Sequence, residues 1–326
     1  MFSGVVFVVN HGCDDDSDEE NVMDLVAHRR RLRKEVDPLE LPEKTFILNF
    51  RVSKALFLEL DGLIADSIAP KHNRGLSPRV KLAATLRFLA QGSYQQSVAN
   101  DFAVPIGQST FSKVLEQTLN VLESKLAHLI SLEMTEDEKS EARRYFFEKT
   151  GIPGVVMCVD GSHIKIIPPH EDPVLYYNRK GFYSLNALMI CDHSKKIRYV
   201  NARFSGSNHD SFIFNNSTCM GFFEDKWRNG ERMFKLLGDS AYASKPWLIK
   251  PFRNPDPDTP ESSFNLKHSR GRSIIEQTFG SLKNRFRCIL GARQLHYAPP
   301  KCVKIVNVCC ALHNLCIREG LPEIED

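Results

Sequence analysis

The chain has 326 residues and a formal net charge of +3, and 42% of its residues are apolar, which is enough for one large core or two smaller ones. Its nine cysteines form no C-x-x-C pair and their number is odd, which argues against a disulfide framework and favours a reducing compartment. No apolar run approaches the roughly 18 residues that cross a bilayer, so we expect no membrane association.

Charge is unevenly distributed along the chain. Residues 14–20 hold six acids in seven positions, whereas residues 265–304 hold nine Lys or Arg against one acid. A basic segment of this kind favours a polyanionic partner such as a nucleic acid. We predict that residues 1–44 form a disordered tail, acidic and then basic. Its basic cluster at 28–34 is interpreted as a nuclear import signal, as a loose phosphate contact or as the solvated face of a short helix.

Residues 45–148 have helical periodicity throughout and predict an all-helical domain. A helix between Ser77 and Gly92, a short helix over 93–102 and a third helix from Ser109 are separated by tight turns. This layout is typical of a helix-turn-helix, whose second helix lies in the major groove of DNA. It predicts a DNA contact from Lys113 on the polar side of the third helix. A plain helical scaffold has the same pattern, so both interpretations stay open.

After residue 148 the periodicity changes from helical to β, which predicts a second domain over 149–326. Three antiparallel strands come first, and the predicted order is β-β-β-α-β-loop-α-α. This order suits an α/β, RNase-H-like fold. The predicted elements are strands at 154–166, 183–192, 197–204 and 233–237, a helix from residue 210, a coil over 251–263, and helices at 273–287 and 300–317.

Four acidic residues stand where open α/β sheets carry their chemistry. Asp160 ends the apolar run of the first strand, Asp210 opens a helix, Asp239 follows the fourth strand, and Glu276 lies on a late helix. Clustered carboxylates raise one another's pKa, and a bound Mg²⁺ or Mn²⁺ removes that conflict. Two such ions activate a water and stabilise the leaving oxygen of a phosphodiester. We therefore predict that the four carboxylates converge on a divalent metal site. The alternative for each acid is a turn or helix cap, which fits Asp210 best.

Basic side chains and histidines surround these acids in the sequence. We predict that His209 supports Asp210 by donating a hydrogen bond. Cys309, His313 and Cys316 share one helix face, which allows a zinc site, although buried core cysteines are commoner. A DNA-contacting surface is favoured over a solvated helix face for a basic set that comprises Lys267, Arg270, Arg272, Lys283, Arg285 and Arg287.

Six short motifs within residues 45–318 resemble those of the PIF/Harbinger transposases and of the nucleases derived from them. They are DGSHI at 160–164, YNRKG at 177–181, GSNHDS at 206–211, GDSAY at 238–242, HSR at 268–270 and IEQTFG at 275–280. The resemblance implies an RNase-H-like DDE nuclease core, a divalent cation (Mg²⁺ or Mn²⁺), DNA as substrate and a nuclear location, with the cytoplasm left open. It also implies a separate Myb-like or SANT-type DNA-binding partner.

All four acids have a counterpart in the family. The resemblance implies Asp160, Asp239 and Glu276 as the catalytic set, with Asp210 as a further metal ligand. Whether Asp210 or Asp239 is the second member of the triad stays open. The alternative function is a domesticated, non-cutting DNA-binding adaptor that acts in chromatin or transcription. Because none of the acids is replaced, the sequence favours a nuclease.

Overall fold

A computed structural model of the protein describes residues 37–72, 75–92, 106–292 and 294–324. Within these ranges the strands are β1 (Val155–Lys165), β2 (Ser184–Asp192), β3 (Ile197–Ser205), β4 (Lys235–Leu237) and β5 (Leu248–Ile249). The helices are α1 (Glu43–Phe50), α2 (Lys54–Ile64), α3 (Pro78–Gln91), α4 (Gln108–Leu126), α5 (Glu136–Thr150), α6 (Pro173–Tyr176), α7 (Asp210–Asn215), α8 (Thr218–Arg228), α9 (Pro260–Arg285) and α10 (Pro299–Arg318). None of these helices is both long and apolar enough to cross a bilayer.

The five strands form one mixed sheet in the order β3-β2-β1-β4-β5. The first three strands pair antiparallel, and β4 and β5 join them in parallel. The predicted α/β architecture with three leading antiparallel strands is therefore confirmed. Strand β5 was not predicted, because two residues are too few to show a period.

β1 continues beyond the end of its neighbour β4. Only residues 155–158 of β1 pair with β4, whereas its pairing with β2 runs to Lys165. Asp160 is thus in the middle of β1, paired with Met189, within the strand that the sequence predicts over 154–166. Because β4 has already ended, the edge of β1 next to Asp160 is open. Strand side chains project from the faces of the sheet, where the helices lie, and the Asp160 carboxylate reaches Arg272 of a covering helix.

The helices cover both faces of the sheet. One hydrophobic cluster joins α1 to α4 with α10 and the sheet, and it includes Phe46, Leu119, Ile164 and Leu312. The second cluster lies on the other face and contains α5, α7 and α8 with the first half of β1. The N-terminal helices therefore share a core with the sheet. The first helix of the predicted helix-turn-helix, 93–102, lies outside the described residues, so the helix-turn-helix and the plain scaffold both stay predictions. Residues 1–36 also lie outside them, so the predicted tail stays a prediction.

Helix α9 carries most of the predicted basic set and begins thirteen residues before the predicted start. Thr259 caps it by accepting a hydrogen bond from the amide of Ser262, and Pro260 occupies its first turn. Gly271 lets this helix approach the sheet closely, because a Cβ there would lie 2.4 Å from a methyl carbon of Thr150 and 2.8 Å from one of Leu237. The close approach places the middle of α9 beside Asp160.

Candidate active site

Asp160 is paired with an arginine from α9. Its Oδ2 accepts a hydrogen bond from Nη1 of Arg272 at 2.7 Å, and 17% of the Asp160 side chain is exposed. Burial raises the pKa of Asp160, the charge of Arg272 opposes that shift, and Asp210 adds to it. The carboxylate that the sequence predicted to need a partner therefore has a cationic one.

The same guanidinium also holds Glu276, which lies one helical turn after Arg272. Nη2 of Arg272 donates to Oε1 of Glu276 at 2.7 Å. Spacing of four residues puts both side chains on one face of α9. Asp160 and Glu276 thus lie on the same side of the sheet, with one cation between them.

Asp210 lies against the backbone of β1. A Cβ added to Gly161 would be 2.2 Å from Oδ1 of Asp210, so this approach requires glycine. The same oxygen accepts a hydrogen bond from Nδ2 of Asn186 at 2.6 Å. His209 is exposed, and Asn186 has the donor role that we predicted for His209. The signal in the sequence was a polar residue inside a fully buried apolar strand, β2.

Asp239 follows β4, and its charge acts on Arg272, the partner of Asp160 and Glu276. Burial lowers the pKa of Arg272, and the charges of Asp160, Glu276 and Asp239, in decreasing order, raise it. Tyr242 is 1% exposed, and its hydroxyl is without a hydrogen-bond partner among the described residues. Burial raises the pKa of Tyr242 well above its usual range, and the charges of Asp210, Asp160 and Asp239 add to this effect. The charges of three aspartates from separate elements therefore act on one buried hydroxyl.

The donor set is carboxylate oxygen, which suits a hard divalent cation. No group of three or more His, Cys, Asp or Glu side chains in the described ranges is arranged to hold a metal ion. The guanidinium of Arg272 occupies the place between Asp160 and Glu276. An ion bound by both carboxylates requires that this guanidinium turn away.

The predicted DNA-contacting residues have different surroundings. Lys113, Lys267 and Arg270 are exposed. Lys283 donates from Nζ to Oγ of Ser162 at 2.8 Å, and burial together with the charge of Lys180 lowers its pKa to about 8. Arg272 is engaged by carboxylates, so in this arrangement its guanidinium is not available to a phosphate.

Arg285 is not placed to contact DNA as the sequence predicted. Its side chain is buried, and its guanidinium donates to the carbonyl oxygens of Arg51 at 3.2 Å and Pro322 at 2.6 Å. Nine positions separate it from Glu276, and at about 100° per residue this spacing gives opposite faces of one helix. Arg287 is half-buried in the short turn Arg287–Ile289 after α9.

Replacing Arg285 with Ala is expected to lower the free energy of unfolding by about 1–3 kcal/mol, because carbonyl oxygens lose a charged donor. DNA affinity of the folded variant should equal that of the parent. Chemical denaturation and fluorescence anisotropy with labelled duplex measure the two quantities. Loss of DNA affinity at unchanged stability would show that the buried position is wrong.

The cysteine-rich helix belongs to the core. His313 bonds through Nε2 to the carbonyl oxygen of Lys195 at 3.0 Å, and Sγ of Cys309 lies 3.8 Å from Sγ of Cys288. Cys309, Cys316 and His313 are buried. These contacts fit buried core side chains and give no support to a zinc site.

Comparison with known proteins places the acidic residues within a family. Residues 159–314 match the family described as DDE superfamily endonuclease. "Putative nuclease HARBI1" of Bos taurus and that of Homo sapiens are each 33% identical to the chain over 258 residues, which is 77% of this chain and 70% of theirs. Protein ALP1-like of Arabidopsis thaliana is 27% identical over 300 residues, covering 84% of this chain and 71% of its own. No solved structure matches the chain significantly.

The matched region begins one residue before Asp160 and ends within α10, so it contains all four acids and the whole sheet beyond the start of β1. The five-stranded mixed sheet agrees with the RNase-H-like fold of DDE endonuclease domains. The chain therefore belongs to the DDE superfamily endonucleases and is homologous to the Harbinger-transposase-derived nucleases.

Proposed function

We propose that the protein is a divalent-metal-dependent nuclease that hydrolyses phosphodiester bonds of DNA. Asp160, Asp239 and Glu276 are its catalytic carboxylates, and Asp210 is a further ligand for Mg²⁺ or Mn²⁺. The observation that carries this proposal is the pairing of Asp160 and Glu276 with a single cation, Arg272. Asp160 of β1 and Glu276 of α9 lie close enough to share one positive charge, and such a pair of carboxylates is stabilised by a cation, which supports a cation site.

The chain's own residues prepare this site. Gly161 lets the Asp210 carboxylate lie against β1, and Asn186 fixes its orientation. Such donors commonly orient metal ligands in proteins. When bound, divalent ions supply an activated water and stabilise the leaving oxygen. Clustered acids in a site partly shielded from water also favour the bound cation, because carboxylates in such a place otherwise repel one another.

DNA is the proposed substrate because of the family and the exposed basic residues of α9, Lys267 and Arg270. We place the protein in the nucleus, where that substrate is, and extend the proposal to a separate Myb-like or SANT-type partner that supplies sequence recognition.

The experiment is nicking of supercoiled plasmid with Mg²⁺, with Mn²⁺ and with a chelator. We expect relaxed and linear plasmid with either metal and none with the chelator. Nicking that is equal with and without the chelator would refute metal dependence.

A non-cutting DNA-binding adaptor is the second candidate. It is favoured by one observation, that Arg272 fills the gap between Asp160 and Glu276. Normal duplex binding without nicking under any divalent metal would select it.

The helix-turn-helix interpretation gives a separate prediction. Lys113 is exposed on α4, three residues before Glu116, which pairs with Lys304 of α10. If α4 lies in the major groove, Lys113→Ala should weaken duplex binding several-fold and reduce the salt slope by about 0.9. Lys125→Ala, an exposed lysine twelve residues later on the same helix, is the control. Equal slopes for the two variants would refute the role of α4.

A further inference from the structure

A turn held by buried hydrogen bonds carries positive charge next to the acidic site. Tyr177 and Tyr183 face each other in an antiparallel bridge, and the amide of Asn178 donates to the carbonyl oxygen of Phe182 at 3.0 Å. The buried Asn178 side chain holds the turn from inside, since Oδ1 accepts from the amide of Lys180 at 2.9 Å and Nδ2 donates to Oγ of Ser184 at 2.7 Å. We call residues 177–183 the basic turn.

The tip of the basic turn presents two cations to solvent. Arg179 and Lys180 are exposed, and Gly181 completes the turn with a φ of 82°. The left-handed conformation at Gly181 costs little only for glycine. Asn178 is 2% exposed, so the position of the tip is set by buried hydrogen bonds. The two charges are therefore held in place before any ligand binds.

Two further lysines lie beside the tip. Lys165, the last residue of β1, has its Nζ 4.8 Å from the ring centroid of Phe182 in the basic turn. Lys283 of α9 reaches the same stretch of β1, at Ser162 and at the carbonyl oxygen of His163. Burial lowers the pKa of His163, and the charges of Lys180, Arg179 and Lys283 lower it further against an opposing effect of Asp210. The charges of Lys180, Arg179 and Lys283 thus act on one histidine, His163.

No carboxylate of the described residues neutralises this group. Across that part of the chain, none of Lys165, Arg179, Lys180 and Lys283 forms an ion pair with an acidic side chain, whereas Arg272 forms two. Like charges held close together repel, and holding them so costs folding free energy. A bound polyanion would remove that cost.

The geometry points to a phosphate track, formed by Lys165, Arg179, Lys180 and Lys283, that binds the DNA backbone beside the cleaved bond. The track deepens the proposed nuclease function, on which its position relative to cleavage rests. Lys165 is five residues from Asp160 along β1, roughly 16 Å at the rise of a strand. Successive nucleotides of one strand rise about 3.4 Å, so Lys165 lies about five nucleotides from Asp160 along the bound strand.

The test is duplex binding by fluorescence anisotropy over a series of KCl concentrations, with a chelator present so that cleavage does not enter. Arg179→Ala/Lys180→Ala is expected to bind about tenfold more weakly than the parent. Its slope of log K against log salt should be shallower by about 1.8, or about 0.9 for each phosphate that the variant no longer neutralises. Lys165→Met keeps the aliphatic stem over Phe182 and tests β1 separately, with an expected change in slope of about 0.9.

The control is Lys149→Ala/Arg228→Ala, which removes the same two charges from α5 and α8. Those helices pack in the second hydrophobic cluster, whereas Tyr183 of the basic turn and the preceding Tyr176 pack against the first. A salt slope for the turn variant equal to that of the control, or no duplex binding by the parent protein, overturns the track. If the turn variant binds duplex more weakly but the parent does not nick plasmid, the track stands and the nuclease is refuted. If the parent nicks plasmid but the turn variant binds duplex as the parent does, the nuclease stands and the track is refuted.

Discussion

Replacing Asp160 with Asn is expected to lower metal-dependent nicking of supercoiled plasmid by more than about 100-fold. Asn keeps the size of the side chain but removes the negative charge that a hard cation needs. Loss of a group that only orients a metal ligand already lowers metal affinity or activity by about 10–100-fold, so loss of a ligand itself should lower activity by at least as much. Initial nicking rates at a fixed Mn²⁺ concentration measure the effect.

Binding should respond differently from cutting in this variant. Duplex affinity should stay the same or rise, because a negative charge near the phosphates has gone, and it should still fall steeply with salt. The matched control is Asp225→Asn, an exposed aspartate on α8. Nicking by Asp160→Asn at the rate of the parent would show that the acids do not form the catalytic site.

Replacing Arg272 with Gln should lower the free energy of unfolding in the absence of metal by about 1–3 kcal/mol. Breaking a buried ion pair costs about 3–5 kcal/mol, an exposed pair is worth less than about 1, and this pair lies between the two. Its side chains are 22% and 17% exposed at Arg272 and Asp160. The loss arises because Asp160 keeps its buried charge without a partner.

Added Mn²⁺ should restore stability to Arg272→Gln by more than it stabilises the parent, because the place between Asp160 and Glu276 is then open. Urea denaturation with and without Mn²⁺ measures both effects. Arg228→Gln is the control, since Arg228 pairs with Glu224 at the same spacing of four residues but is 69% exposed. Equal stabilisation of parent and variant by Mn²⁺ would show that the guanidinium and the metal do not compete.

Several elements could be predicted from the sequence because their signals are local. The change from a period of 3.6 to a period of 2 after α5 predicted the leading strands, and the end residues of α10 differ from the prediction by one position each. Helix α9 was predicted too short, because Pro-rich sequence before it resembles coil, although the Thr-Pro cap was present. β5 is held by pairing with β4 and has no period of its own.

The sequence predicts four acids as the site, and the structure gives them partners that the sequence did not show. The sequence by itself determined that Glu276 shares a helix face with Arg272 and Lys283, because helical spacing fixes that face. Only the tertiary structure decided that Arg272 joins Asp160, 112 positions away in the chain, and that Arg285 points into the core. Contacts between distant segments depend on how closely α9 lies against β1, and no local period encodes that distance.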